Sequence, residues 1–131
     1  MEMILVLDTN AYSGMMRGDT QFSNPVRAAD RLIVPATVIG ELLYGFRLGN
    51  RNRENREQLD QFLSSPFVDF KTVDRTVCER YALLMEQLRK KGRPIPSNDV
   101  WIAAHTLAEG AELLTKDEHF SEIDGLSVYE V

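Results

Sequence analysis

A single cysteine, Cys78, occurs in 131 residues. No internal disulfide can form, and a zinc centre would need mostly other ligands. Histidine is nearly as scarce, with only His105 and His119, so the chain offers no His/Cys metal cluster. No apolar run approaches the roughly 20 residues of a spanning helix. Met1 leads almost directly into a short apolar stretch without a basic segment, so no secretory signal is read. GxxxxGK[ST] is absent, and Gly14 and Gly18 form no phosphate-binding fingerprint, which argues against a nucleotide-driven enzyme. An excess of positive charge is also missing: 15 Lys and Arg against 20 Asp and Glu leave a net charge of −5. Such a chain is not built to coat nucleic acid indiscriminately, because that binding rests on neutralising many phosphates. A nuclease remains compatible, since its acids hold metal while basic residues elsewhere take the phosphates. The expectation is a cytoplasmic protein with no membrane partner.

What remains is an ordinary globular composition, 44% hydrophobic and 27% charged. Without repeats, linkers or low-complexity segments, residues 1–131 read as one domain. Met3–Leu7 is apolar throughout, as suits a strand buried on both faces of a parallel sheet. A short helix over 10–17 follows, stopped by Gly18. Leu32–Val34 is a second apolar piece, and Pro35 marks a helix start. Val38, Ile39, Leu42, Leu43 and Phe46 then recur at helical spacing. Residues 50–64 form a polar helix with Leu59, Phe62 and Leu63 as its stripe. Residues 68–73 alternate as a strand, and Asp74 caps a helix carrying Val77, Tyr81, Leu84, Met85 and Leu88. Ser97 is the expected cap of the next helix. Residues 112–115 and 126–131 complete the strands. Strands alternating with helices or helix pairs predict an α/β fold with a mostly parallel central sheet.

In such a sheet, ligands bind outside the carboxyl ends of the strands. Asp8 and Asp117 follow two strands there. Asp99 falls in the first turn of a helix, and Glu41 about two turns into another. Each acid alone has an ordinary use: a cap for Asp8, a dipole partner for Asp99, a solvent-facing Glu41, a turn residue for Asp117. Together in one cleft they would repel unless protonated or matched by cations. For hard oxygen ligands without thiols, the natural cation is Mg²⁺ or Mn²⁺, a pairing suited to phosphodiester hydrolysis.

Four segments give the chain its resemblance to a family: LDTN with Asp8, VIGELLYG with Glu41, NDVWIAA with Asn98 and Asp99, and LLTKDEHF with Thr115 and Asp117. In that order, over the whole chain, they resemble a PIN-domain ribonuclease, specifically a VapC-type toxin of a toxin–antitoxin pair. The resemblance implies a three-layer α/β/α fold and a metal-dependent endoribonuclease leaving a 5′-phosphate and a 3′-hydroxyl. Asp8 and Asp99 would be principal metal ligands. Glu41 would hold or deprotonate the attacking water, and Asp117 would ligate directly or through water. Thr9, Asn10, Asn98 and Thr115 would orient the carboxylates or substrate. It further implies a homodimer and a cognate antitoxin docking on a hydrophobic surface near the early helices.

His105 and His119, lacking spaced partners, read as packing or surface residues. Cys78 reads as a small buried helix residue without redox chemistry, and Tyr44, Phe46 and Phe62 as mostly core. Arg47 and Arg51, with Arg53 and Arg56, form one basic group; Arg89, Lys90, Lys91 and Arg93 form another. Each is either a solvated face or helix end, or a set of RNA phosphate contacts. Two other functions compete with the toxin: a housekeeping RNA-processing nuclease, and a non-catalytic PIN-like binding module that gains little from grouped negative charge. A phosphoacceptor receiver domain would need an adjacent acidic pair after the first strand, where LDTN supplies one acid.

Overall fold

The computed structural model describes residues 2–130. Strand β1 (Ile4–Leu7) leads into helices α1 (Thr9–Met16) and α2 (Thr20–Ala28). β2 (Arg31–Pro35) leads into α3 (Ala36–Leu48) and α4 (Asn52–Leu63), and β3 (Val68–Lys71) into α5 (Arg75–Lys91) and α6 (Ser97–Ala108). β4 (Glu112–Leu114), a 3₁₀ turn (Glu118–Glu122) and β5 (Val128–Tyr129) close the series. The five strands lie in the order β3-β2-β1-β4-β5, and every neighbouring pair is parallel.

Leu5, Val6, Leu7, Leu32, Ile33, Val34, Leu113 and Leu114 are all buried, because β1, β2 and β4 are covered on both faces. The chain winds from β1 outward to β3, then crosses back to lay β4 on the other side of β1. With right-handed crossovers this reversal places helices on opposite faces. It also makes the β1/β4 boundary the switch point, where the carboxyl ends diverge and open a crevice. Asp8 and Thr115 stand on its two sides.

Several local expectations are corrected. The α2 helix was not anticipated; Asp19 caps it, and Pro25 sits inside it. Gly14 of α1 lets α2 approach, since a Cβ there would stand 2.4 Å from the Phe22 ring. Pro35 ends β2 and is the N-cap of α3 rather than its first helical residue. Ser97 is the first residue of α6, with Pro96 at the cap position, so its hydroxyl plays no capping part. Asp74 does cap α5, accepting the Val77 N–H at 3.0 Å, and Gly92 ends that helix at φ +69°. On α5 only Val77, Leu84 and Leu88 are buried; Cys78 is exposed and Met85 is 40% exposed. Tyr81, half-buried, stacks on Trp101 of α6 at 3.7 Å between ring centroids. Tyr44 is 66% exposed, while Phe46 and Phe62 are half-buried against the core. The last strand is shorter than expected, and Val131 lies outside the described residues.

Candidate active site

Asp8 stands where β1 stops and α1 begins. Its Oδ1 accepts the Ala11 N–H at 2.8 Å, the ordinary N-cap bond. Its Oδ2 accepts from Thr115 Oγ1 at 2.5 Å. The capping role is therefore real, yet it occupies only one of the two oxygens. The same Thr115 hydroxyl accepts the Asp117 N–H at 2.9 Å. One hydroxyl thus fixes the Asp8 carboxylate and the backbone of the next acid, at the mouth of the switch-point crevice.

Asp117 caps the 3₁₀ turn, its Oδ1 accepting the His119 N–H at 2.9 Å. Asp99 arrives from the first turn of α6. The His119 ring sits between these acids, with Nδ1 3.1 Å from Asp99 Oδ2 and 3.2 Å from Asp117 Oδ1. One donor atom from each of Asp99, Asp117 and His119 lies within 4.8 Å of the other two. Glu41, half-buried on α3, accepts from Thr9 Oγ1 at 2.9 Å, so it is tied to the residue following Asp8.

Burial pushes the Asp8 carboxyl above the usual carboxylate range. Hydrogen bonds from Thr115 and Ala11 pull it back, and the charges of Asp117 and Asp99 push it up again. Burial also raises Asp99; the bond to His119 opposes this, and Asp117 adds to the rise. His119 is shifted upward, first by its bond to Asp99 and then by the Asp117 charge. Three carboxylates therefore feel one another's charge, and among the described residues neither Asp99 nor Asp117 pairs with Lys or Arg. The donors that lie within reach of a single ion are those of Asp99, Asp117 and His119, a set a divalent ion fits; Asp8 stands outside that group and is tied to Asp117 through Thr115.

The PIN domain model matches residues 5–126, a span that holds all four acids. The chain belongs to the PIN-domain family. It is 32% identical over 130 residues to Ribonuclease VapC2 of Rickettsia felis, covering 95% of each chain. It is 30% identical over 129 residues to Ribonuclease VapC1 of Haemophilus influenzae, again over 95% of each. The crystal structure of VapBC2 from Rickettsia felis, bound to a promoter DNA fragment, superposes with a TM-score of 0.86 at 27% identity, over 97% of this chain and 98% of that one. The three-layer arrangement and parallel sheet are thus those of the PIN fold.

Within this PIN domain the other expected site residues separate. Thr9 and Thr115 bond directly to acids, whereas Asn10 and Asn98 are exposed. Arg51 pairs with Glu54 and Lys90 with Glu86, while Lys91 meets Asp124 and the Glu122 carbonyl. Arg47 and Arg93 are exposed and pair with no acid among the described residues. Arg93 lines an open cleft with Glu118 and His119, beside the acids. His119, expected as a packing or surface residue, is exposed and stands between two of the acids. Its signal was the Asp-x-His spacing of Asp117 and His119 directly after a strand, which a 3₁₀ turn brings onto one side. His105 differs: it is fully buried, and neither ring nitrogen has a hydrogen-bond partner among the described residues.

Proposed function

We propose that this PIN-domain protein is a metal-dependent endoribonuclease, the toxin of a toxin–antitoxin pair. The observation that carries the reading is the set of Asp8, Asp99 and Asp117 at the carboxyl edge of the parallel sheet, Asp8 and Asp117 joined through Thr115 and Asp117 and Asp99 through His119. Kinship with proteins named Ribonuclease VapC supplies the substrate class. Asp8, Asp99 and Asp117 would hold the ion, Mg²⁺ or Mn²⁺. Once bound, such an ion lowers the pKa of water and neutralises charge growing on the phosphodiester. Glu41, oriented by the Thr9 hydroxyl, would take the proton of the attacking water. Thr115 keeps the Asp8 carboxylate from rotating, and so preserves its direction during turnover. Cleavage would leave a 5′-phosphate and a 3′-hydroxyl.

Arg93 is the basic residue best placed to meet RNA phosphate, because it borders the cleft that holds His119. Arg47 would add a contact with its unpaired guanidinium. Arg51, Lys90 and Lys91 are weaker candidates, since each already has an acidic neighbour. Tyr44 and Leu48, four residues apart on α3 and 66% and 71% exposed, favour the toxin over a housekeeping nuclease. They form an apolar strip that an antitoxin would cover. A homodimer acting in the cytoplasm completes the proposal; no helix among the described residues is long and apolar enough to cross a membrane.

The test is RNA cleavage by the purified protein with Mg²⁺ or Mn²⁺, with EDTA, and in Asp8→Asn and Asp99→Asn variants that remain folded. Loss on the order of 100-fold or more is expected in both variants. Cleavage that survives EDTA, or is indifferent to both substitutions, overturns the proposed site. Expression that is toxic alone and harmless with the product of an adjacent small gene supports the toxin. Harmless expression without that product favours a housekeeping role.

A further inference from the structure

We propose that His119 completes a divalent-ion site with Asp99 and Asp117 through its Nδ1 atom, and thereby biases this centre towards a first-row transition ion such as Mn²⁺ over Mg²⁺. The inference rests on the nuclease reading above and specifies which ion that centre prefers. Its basis is the position of the ring. Nδ1 stands 3.1 Å from an Asp99 oxygen and 3.2 Å from an Asp117 oxygen, and those acids come from different elements. Both carboxylates face the one ring nitrogen, so a cation seated among them would meet three donors at once. In an octahedral shell with bonds of roughly 2.0–2.1 Å, adjacent donor atoms stand about 3 Å apart. The observed separations match that edge.

The ring is also held in place. The His119 backbone N–H is bound by Asp117, and Phe120, next in the chain, is buried in the core. Asp117 is fixed in turn by the Thr115 hydroxyl. The turn therefore presents a nitrogen and an oxygen donor together, and α6 brings the second oxygen. The outer side of His119 is exposed, which leaves room for water or a phosphate oxygen in the remaining positions. An all-oxygen set suits Mg²⁺, whereas an imidazole nitrogen adds little for Mg²⁺ and more for first-row transition ions. Ligation through Nδ1 places the ring proton on Nε2, facing outward.

The test compares the full-length protein with His119→Ala and His119→Asn. Asparagine returns an oxygen near the Nδ1 position; alanine returns nothing. Each protein is titrated calorimetrically with MnCl₂ and with MgCl₂. Pulsed electron paramagnetic resonance of the Mn²⁺-loaded forms then reads nitrogen coupling, with ¹⁵N-histidine as the label. The wild type should show histidine nitrogen coupling that both variants lack. In His119→Ala, Mn²⁺ affinity should fall on the order of 10-fold or more, with a much smaller change for Mg²⁺. His119→Asn should bind both ions with the Mn²⁺/Mg²⁺ ratio reduced by about 10-fold. Absence of nitrogen coupling, or a ratio unchanged in both variants, overturns the inference. If RNA cleavage in that case still requires Asp99, the nuclease reading stands without it. If Asp99→Asn cleaves RNA normally, the acidic centre is not the site of cleavage, and that site assignment falls and takes the inference with it.

Discussion

Thr115 Oγ1 donates to Asp8 Oδ2 at 2.5 Å, although the two residues stand 107 positions apart in the chain. The bond joins the end of β1 to the end of β4 at the point where the winding of the sheet reverses. Because that hydroxyl also accepts from the Asp117 backbone, it carries geometric information from one acid to another.

Thr115→Val retains the shape and removes both bonds. It leaves a buried carboxylate oxygen and a backbone N–H without partners, at a cost of about 1–3 kcal/mol. Thermal unfolding should show the loss, and calorimetry should show weaker divalent-ion binding. Thr115→Ser, which keeps the hydroxyl, should restore most of both.

Asp8→Asn should separate stability from activity. Asparagine is as good an N-cap as aspartate, so the bond to Ala11 survives. The folded-state pKa of Asp8 is raised by burial and by Asp117 and Asp99, so its stabilising contribution is present at acid pH and lost as pH rises through that value. At neutral pH the charged form is a burden that the substitution removes. The variant should melt at or above the wild-type temperature while RNA cleavage falls on the order of 100-fold or more. A lower melting temperature would contradict this account.

His105 sets a separate acid sensitivity. Burial depresses its pKa below 6.5, partly offset by the charge of Asp74, and no hydrogen bond holds either nitrogen. Below that pH the unfolded chain binds the proton more readily than the folded one, so stability falls as pH drops. His119 is shifted the other way; its contribution is complete below 6.5 and fades as pH rises through its folded-state value. The two histidines oppose one another in the wild type, so the His105 part is read by difference: the urea midpoint of His105→Leu relative to wild type should rise as pH falls from 7.5 to 5.5, because an apolar side chain there leaves no proton to bind.

Arg93 and Lys90 offer a paired test of RNA contact. Arg93→Ala should weaken RNA binding for all sequences alike and reduce the slope of log K against log salt by about 1. Lys90→Ala should do much less, since its ammonium already faces Glu86 at 3.6 Å. Equal effects from the two would move the RNA path away from the cleft beside His119.

Much of this was legible in the chain because the central strands have to be apolar on both faces. Met3–Leu7 ending in Asp8 marks a strand stopped by a carboxylate, and 112–115 followed by Asp117 repeats the pattern. The failures have physical causes. Pro25 disguised α2, since proline usually interrupts a helix. On α5 the core contact is a narrow stripe through Val77, Tyr81, Leu84 and Leu88. Cys78 and Met85 each lie one residue beyond that stripe, about 100° further round the helix, and so face out. Tyr44 is likewise two residues past buried Leu42, on the opposite side of α3. His119 was hidden because its partners come from a 3₁₀ turn and from a helix 20 residues away, and no helical or strand period links them.

The strand order has a temporal consequence. β4 is added beside β1 only after the chain has laid down β2, β3 and six intervening helices. A nascent chain stopped short of β4 carries Asp8, Glu41 and Asp99 but lacks Thr115, Asp117 and His119. Half of the acidic centre then has no scaffold, and the Asp8 carboxylate is free to turn. The proposed centre is thus assembled only once β4 and the turn that follows it have docked beside β1.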